Sequence, residues 1–185
     1  IRTGRNSQLE MSLHAMRQMN ANLGVLTETH LTGVHTRATE GYQVQAMVVV
    51  SHSQGRVTIF WCDGADTWQV ESECAHGPNV MSFELVTGWR QFLIIGCYIP
   101  PSETDGSTLG FINAARWCRP RLPLIMLGDL NVNFDNFEPT DHNMAIASAM
   151  ASLGVDDMLS HFHQQCDHQD RQTWSMVCDG ILITS

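Results

Sequence analysis

The sequence predicts an α/β fold in which sheets pack on one another and are covered by helices. Three observations carry this. An amphipathic segment opens the chain, β-rich segments separated by turn-rich pieces follow, and the second half alternates strand-like and helix-like stretches as βα units do.

In order, "NSQLEMSLHAMRQMN" puts Leu9, Leu13, Met16 and Met19 near helical spacing, with Ser7 and Glu10 in capping-box register. This predicts a helix over 7–20. The next segment, "LGVLTETHLT", is a short apolar run that stops at Glu28, the pattern of a buried strand delivering a carboxylate at its C-terminal end. A loop through Gly33 and Gly41 follows. Then "YQVQAMVVVS", "RVTIFW", "TWQVESE", "NVMSFELV" and "QFLIIGCYI" alternate with turn pieces such as "HSQG", "CDGAD" and "TGWR", which predicts a meander of about five strands. After "PPSETDGS", the stretch "STLGFINAARWC" carries Leu109, Ile112, Ala115 and Trp117 or Cys118 on one helical face. A strand in "LPLIMLGD" and a helix in "DHNMAIASAMASLG", with Gly154 as its C-cap, form a βα unit. Near the end, "HFHQQCDHQDRQ" reads as a polar loop and "CDGILITS" as a strand.

The chain has 185 residues, 43% of them hydrophobic. At roughly 150 residues per domain this is one domain over 1–185, or most of one. Ten basic residues, all arginine, stand against 19 Asp and Glu, for a formal charge of −9. Such a surface on average repels phosphates, so DNA binding requires a cation or a local arginine cluster. The six cysteines form no CxxC pair and do not resemble a disulfide scaffold, which fits the reducing interior of a cell, nuclear or cytoplasmic. No apolar run of about 18 residues and no signal-peptide core is present, so a soluble protein with no membrane partner is expected.

The chemistry centres on "PLIMLGDLNVNF", where an apolar strand breaks into Gly128, Asp129, Asn131 and Asn133. Strand alternation would put Asp129, Asn131 and Asn133 on one side, an amide beside a carboxylate. The competing reading is an Asx turn closing the strand. Glu28 and Asp129, each ending an apolar run, would suffice for Mg²⁺, with Mn²⁺ as a substitute. Mg²⁺ takes one or two protein carboxylates together with water and substrate phosphate.

Four motifs in order, "LTETHL", "GCYIPPS", "GDLNVN" and "TW" with "CDGILITS", resemble the endonuclease/exonuclease/phosphatase superfamily over nearly the whole chain. The wording of "RTGRNSQLEMSLHAMRQMN", "HGPNVMSFELVTG" and "GCYIPPS" is similar to the endonuclease domain of non-LTR retrotransposon polyproteins. The resemblance implies a four-layer α/β sandwich of two mixed sheets flanked by helices, truncated at both ends. It implies Mg²⁺-dependent hydrolysis of a phosphodiester, nicking target DNA to prime reverse transcription, with a fused reverse transcriptase domain as a candidate neighbour. Carried over by position, Glu28 is a metal ligand, Asp129 and Asn131 are the paired site residues, Tyr98 is the active-site tyrosine, and Asp179 is the carboxylate that orients a catalytic histidine.

The pattern departs in places. The family's Ser-Asp-His motif would fall beyond the last residue and its first Asn before Ile1, so the chain as given is expected to lack part of the catalytic set and to be weak or inactive alone. Pro101 stands where relatives carry Asn, and Gly180 replaces an aromatic. Trp174 is a candidate stacking group for a nucleotide, against an ordinary packing role. His30 is read as a loop residue rather than a phosphate contact. His161, His163, Cys166 and His168 are read as a solvated loop rather than a zinc site. Two other functions stay open: a phosphatase of a small phosphoester or lipid head group, and a non-catalytic mobile-element remnant or interaction domain.

Overall fold

The computed structural model describes residues 4–18, 21–27, 35–39, 42–46, 57–62, 68–103, 106–132, 138–154, 175–178 and 181–184. Its elements are α1 (Gly4–Gln18), β1 (Leu23–Leu26), β2 (His35–Thr39), β3 (Tyr42–Ala46), β4 (Thr58–Cys62), β5 (Trp68–Gly77), β6 (Val80–Thr87), β7 (Arg90–Tyr98), α2 (Ser107–Cys118), β8 (Leu124–Asp129), α3 (Asp141–Leu153), β9 (Ser175–Cys178) and β10 (Ile181–Thr184).

The strands form two mixed sheets. The first has six strands in the order β2-β3-β4-β1-β10-β9, and the second has four in the order β5-β6-β7-β8. β1 runs parallel to β10, and β7 runs parallel to β8 through the crossover helix α2. The remaining pairs are antiparallel.

Alternation along the strands sorts their side chains into layers. From the first sheet, Leu23, Val25, Val57 and Ile59 meet Met81, Phe83, Leu85, Ile94 and Leu127 of the second. The opposite face of the second sheet, with Leu93, Ile95 and Cys97, packs on Ile112 and Ala115 of α2 and on Ile146 and Met150 of α3. The outer face of the first sheet presents Phe60 to Leu13 and Met16 of α1. The layers are therefore helix, sheet, sheet and helices, which is the four-layer sandwich expected. Each fully buried Leu, Ile or Phe contributes about 1.5–3 kcal/mol before conformational entropy is counted, so the inter-sheet layer is a main source of stability.

Several local expectations are corrected. α1 begins at Gly4, so Ser7 and Glu10 lie inside the helix rather than forming its capping box. The meander is divided: β3 and β4 belong to one sheet and β5, β6 and β7 to the other. β2 replaces part of the expected loop, pairing with β3 as the sheet's edge. "CDGILITS" is split, since Cys178 ends β9 and Ile181–Thr184 pairs back on it as β10. On α2 the buried positions are Thr108, Ile112 and Ala115, whereas Trp117, about 180° around the helix from them, and Cys118, at the helix end and off that face, are exposed. α3 meets expectation: the Thr140 hydroxyl caps it by accepting the Asn143 N–H at 3.2 Å, and Gly154 closes it at φ 67°. Among the described residues no helix is long and apolar enough to cross a membrane.

Candidate functional site

The parallel pairing of β7 with β8 fixes the site. Their register runs Ile94 to Ile125, Gly96 to Leu127 and Tyr98 to Asp129, so these pairs share the face turned toward the other sheet. Gly96 lets that sheet approach. A Cβ there would lie 3.0 Å from a Val25 methyl and 3.1 Å from a Val57 methyl. One step further along both strands, the apolar layer gives way to a phenol beside a carboxylate.

Tyr98 is 8% exposed, and its ring joins the inter-sheet core. Its N–H donates to the Asn79 carbonyl at 2.9 Å, and the N–H of Ile99 donates to the Asp129 carbonyl at 2.9 Å. The backbones carrying Tyr98 and Asp129 are thus held from both sides. Gly128 has φ 137°, and a Cβ there would enter the Cys97 carbonyl, so only glycine fits before Asp129.

After Asp129 the strand ends. The Asp129 Oδ1 accepts the Asn131 N–H at 2.8 Å, and Asn131 adopts φ 52°. This is an Asx turn, the alternative reading of the stretch. The turn, and not strand alternation, brings Asn131 to Asp129. The Asn131 Nδ2 then donates to the Ile99 carbonyl at 2.8 Å, tying the loop to the end of β7. That bond uses one of the amide's two N–H donors. Asp129 also acts through space: burial, and secondarily the Asp129 charge, push the Cys97 thiol up to about 12.

Three residues beside this end were not singled out in the sequence. The Asn79 side chain is buried and its Oδ1 has no partner among the described residues, although its backbone supports Tyr98. Glu103 caps α2, where the N-cap position is Gly106 and supplies no side chain. Its Oε1 accepts the Thr108 N–H at 2.7 Å and its Oε2 accepts the Thr108 hydroxyl. His142 lies 3.1 Å from the Glu103 carbonyl through Nδ1. A carbonyl only accepts, so Nδ1 carries the proton and, in the neutral ring, the buried Nε2 is an acceptor without a partner among the described residues. An acid shortly before a helix that opens Ser-Thr was a readable signal for Glu103. Asn79 and His142 gave none, because their burial depends on the assembled sheet and helices.

Of the sequence-derived site residues, the structure brings Tyr98, Asp129 and Asn131 together. Glu28, Trp174 and Asp179 lie outside the described residues, as do Asn133, His30, His161, His163, Cys166 and His168. Among the described residues no three or more His, Cys, Asp or Glu side chains form a group able to hold a metal ion.

No protein-family model matches the chain, and no curated protein sequence matches it. Among solved structures, the chain is similar to the endonuclease domain of TRAS1, a telomere-specific non-LTR retrotransposon. The TM-score is 0.65 and the identity 15%, over 96% of this chain and 74% of that one. The chain has the fold of that endonuclease domain, the fold its sequence motifs imply.

Proposed function

We propose that the chain is a divalent-metal-dependent endonuclease domain that hydrolyses DNA phosphodiesters, as part of the machinery of a non-LTR retrotransposon. The observation that carries this reading is the Tyr98–Asp129 pair, in register at the end of the inter-sheet layer and followed by the Asx turn to Asn131. This arrangement lies on a fold shared with a retrotransposon endonuclease domain.

The donor chemistry fits a Mg²⁺ ion. The described residues supply one half-buried carboxylate, Asp129, and Glu28 would be the second ligand. One or two carboxylates are what Mg²⁺ normally takes from a protein when phosphate and water complete its shell. When bound, the ion supplies charge stabilisation for the phosphoryl group and the leaving alkoxide. The chain's own residues do the rest. The Tyr98 phenol donates to a phosphate oxygen, and the second N–H of the Asn131 amide orients the attacking water or a phosphate oxygen. Trp174 stacks on a nucleotide, and Asp179 orients a histidine. The setting in this proposal is intracellular, with DNA as substrate and a reverse transcriptase domain as the fused neighbour.

A plasmid-nicking assay with Mg²⁺ tests this, run on the chain and on a form extended along its own coding sequence. Nicking lost on chelation and in Glu28→Ala is expected. Equal nicking by wild type and Glu28→Ala in the extended form would remove the metal-ligand assignment. The charge of −9 favours a second reading, a phosphatase of small phosphoesters. Phosphate release from soluble phosphoesters, with no plasmid nicking, selects it.

A further inference from the structure

The end of the second sheet opposite Tyr98 and Asp129 has a different character. There the β6–β7 turn and the segment joining α2 to β8 gather Arg90, Arg116, Arg119 and Arg121, four of the chain's ten basic residues. Trp89 and Trp117 lie at the same end. They are 77% and 76% exposed, more than any other large hydrophobic residue among those described. From Arg90 to Tyr98 the strand extends about 25 Å at its usual rise, so this surface is separate from the candidate site.

The parts are held in place. The Arg90 guanidinium lies over the Trp89 ring, 4.0 Å from its centroid, which orders the indole and leaves its other face for a planar partner. Arg116 Nη1 donates to the Arg119 carbonyl at 3.2 Å and to the Leu122 carbonyl at 2.7 Å, fixing the turn that carries Arg119 and Arg121. Between this turn and the sheet residues Glu84 and Gln91 is an open cleft of about 350 Å³. Neither indole lines the cleft itself: Trp89 is in the turn two residues before Gln91, and Trp117 is on the last turn of α2, two residues before Arg119. Glu84 pairs with Arg119 at 2.5 Å, and Arg119 remains 47% exposed.

We propose that this end of the sheet binds single-stranded nucleic acid, with bases stacked on Trp89 and Trp117 and phosphates held by Arg121. Single strands offer what the surface is built for: planar faces interleaved with anions. Guanidinium groups suit phosphate through paired N–H donors, and all the chain's basic residues are arginine. An acidic peptide would use the arginines but leave both indoles in water. A duplex would present phosphates with its bases already stacked. The proposal does not rest on the nuclease reading.

Fluorescence anisotropy of a labelled oligothymidylate, about 15 nucleotides long to match the upper range of single-strand sites, tests it. Wild type is expected to bind the single strand more tightly than a duplex of equal length. Trp89→Ala/Trp117→Ala is expected to weaken binding by about tenfold or more, while Trp89→Phe/Trp117→Phe, which keeps the ring faces, stays within about threefold of wild type. Arg121→Glu is expected to weaken binding and flatten its salt dependence. Circular dichroism and unfolding midpoints confirm that each variant is folded, and if the Ala pair does not fold, unchanged binding by folded Arg121→Glu overturns the proposal. Absence of binding by wild type, equal binding of duplex, unchanged binding by the folded Ala pair, or equal binding of polyglutamate with the same losses would each overturn the proposal, the last in favour of an acidic-peptide surface.

Discussion

Asp129 and Asn131 are joined by a hydrogen bond of 2.8 Å from the Asn131 N–H to the Asp129 Oδ1, so one carboxylate both closes a turn and stands beside Tyr98. These two roles separate by substitution. Asp129→Asn keeps a side-chain acceptor for the turn and removes the charge, whereas Asp129→Ala removes both. Urea unfolding is expected to place Asp129→Asn within about 0.5 kcal/mol of wild type and Asp129→Ala about 1 kcal/mol below it. Mg²⁺-dependent nicking by the extended form should be lost in both. Retained nicking in Asp129→Asn would show that the charge is not needed for metal.

Asn131 contributes through its backbone and its side chain. Its φ of 52° is tolerated by asparagine and free for glycine, but costs other residues about 1–2 kcal/mol. Its amide also bonds the Ile99 carbonyl. The expected order of stability is therefore wild type, then Asn131→Gly, which loses only the amide bond, then Asn131→Ala, which adds strain. Equal midpoints for the Gly and Ala forms would mean that the turn relaxes when the side chain is removed.

The same stretch marks what could be read in the sequence. Apolar runs ending in Tyr98 and Asp129 were legible because burial and strand termination are local properties of composition. The manner of their meeting was not, because alternation and an Asx turn make the same residues neighbours, and only the positive φ values of Gly128 and Asn131 decide between them. The division of the strands into two sheets was hidden for a related reason. β4 and β5 are both β-rich with turn residues between them, and nothing local records that the chain changes layers there. β2 was missed because "HTRAT" lacks apolar alternation and is specified by its pairing with β3. Trp117 or Cys118 was read as continuing the face of Ile112 and Ala115, but at about 100° per residue Trp117 lies on the opposite side of α2 from them.

Cys97 supplies a pH-dependent prediction. Burial first, and the Asp129 charge second, raise its thiol from 9.0 to about 12. Between these values the unfolded chain binds fewer protons than the native one, so this thiol makes stability fall as pH rises through the window and contributes no such slope below it. At pH 8, iodoacetamide followed by peptide mass spectrometry should label exposed Cys74 and Cys118 and spare Cys97 until denaturant is added. Labelling of Cys97 in the native chain at the rate of Cys118 would contradict its placement in the layer under α2.

Gly128 carries the sharpest structural prediction, since its φ of 137° and the Cys97 carbonyl both exclude a side chain. The obstacle is backbone of the paired strand, which cannot swing aside as a flexible side chain would. A methyl group here must bend β8 away from β7, opening the register that sets Asp129 beside Tyr98. Gly128→Ala is expected to destabilise the chain by at least about 3 kcal/mol, combining backbone strain with overpacking. Gly110→Ala is the control, because a Cβ on that exposed helical position meets nothing within 4 Å. It should stabilise the chain by up to about 1 kcal/mol through helix propensity. Thermal unfolding of the two variants separates a steric block at the strand end from a general effect of replacing glycine. If Gly128→Ala unfolds within 1 kcal/mol of wild type, then β7 and β8 are not held in the register that positions Asp129.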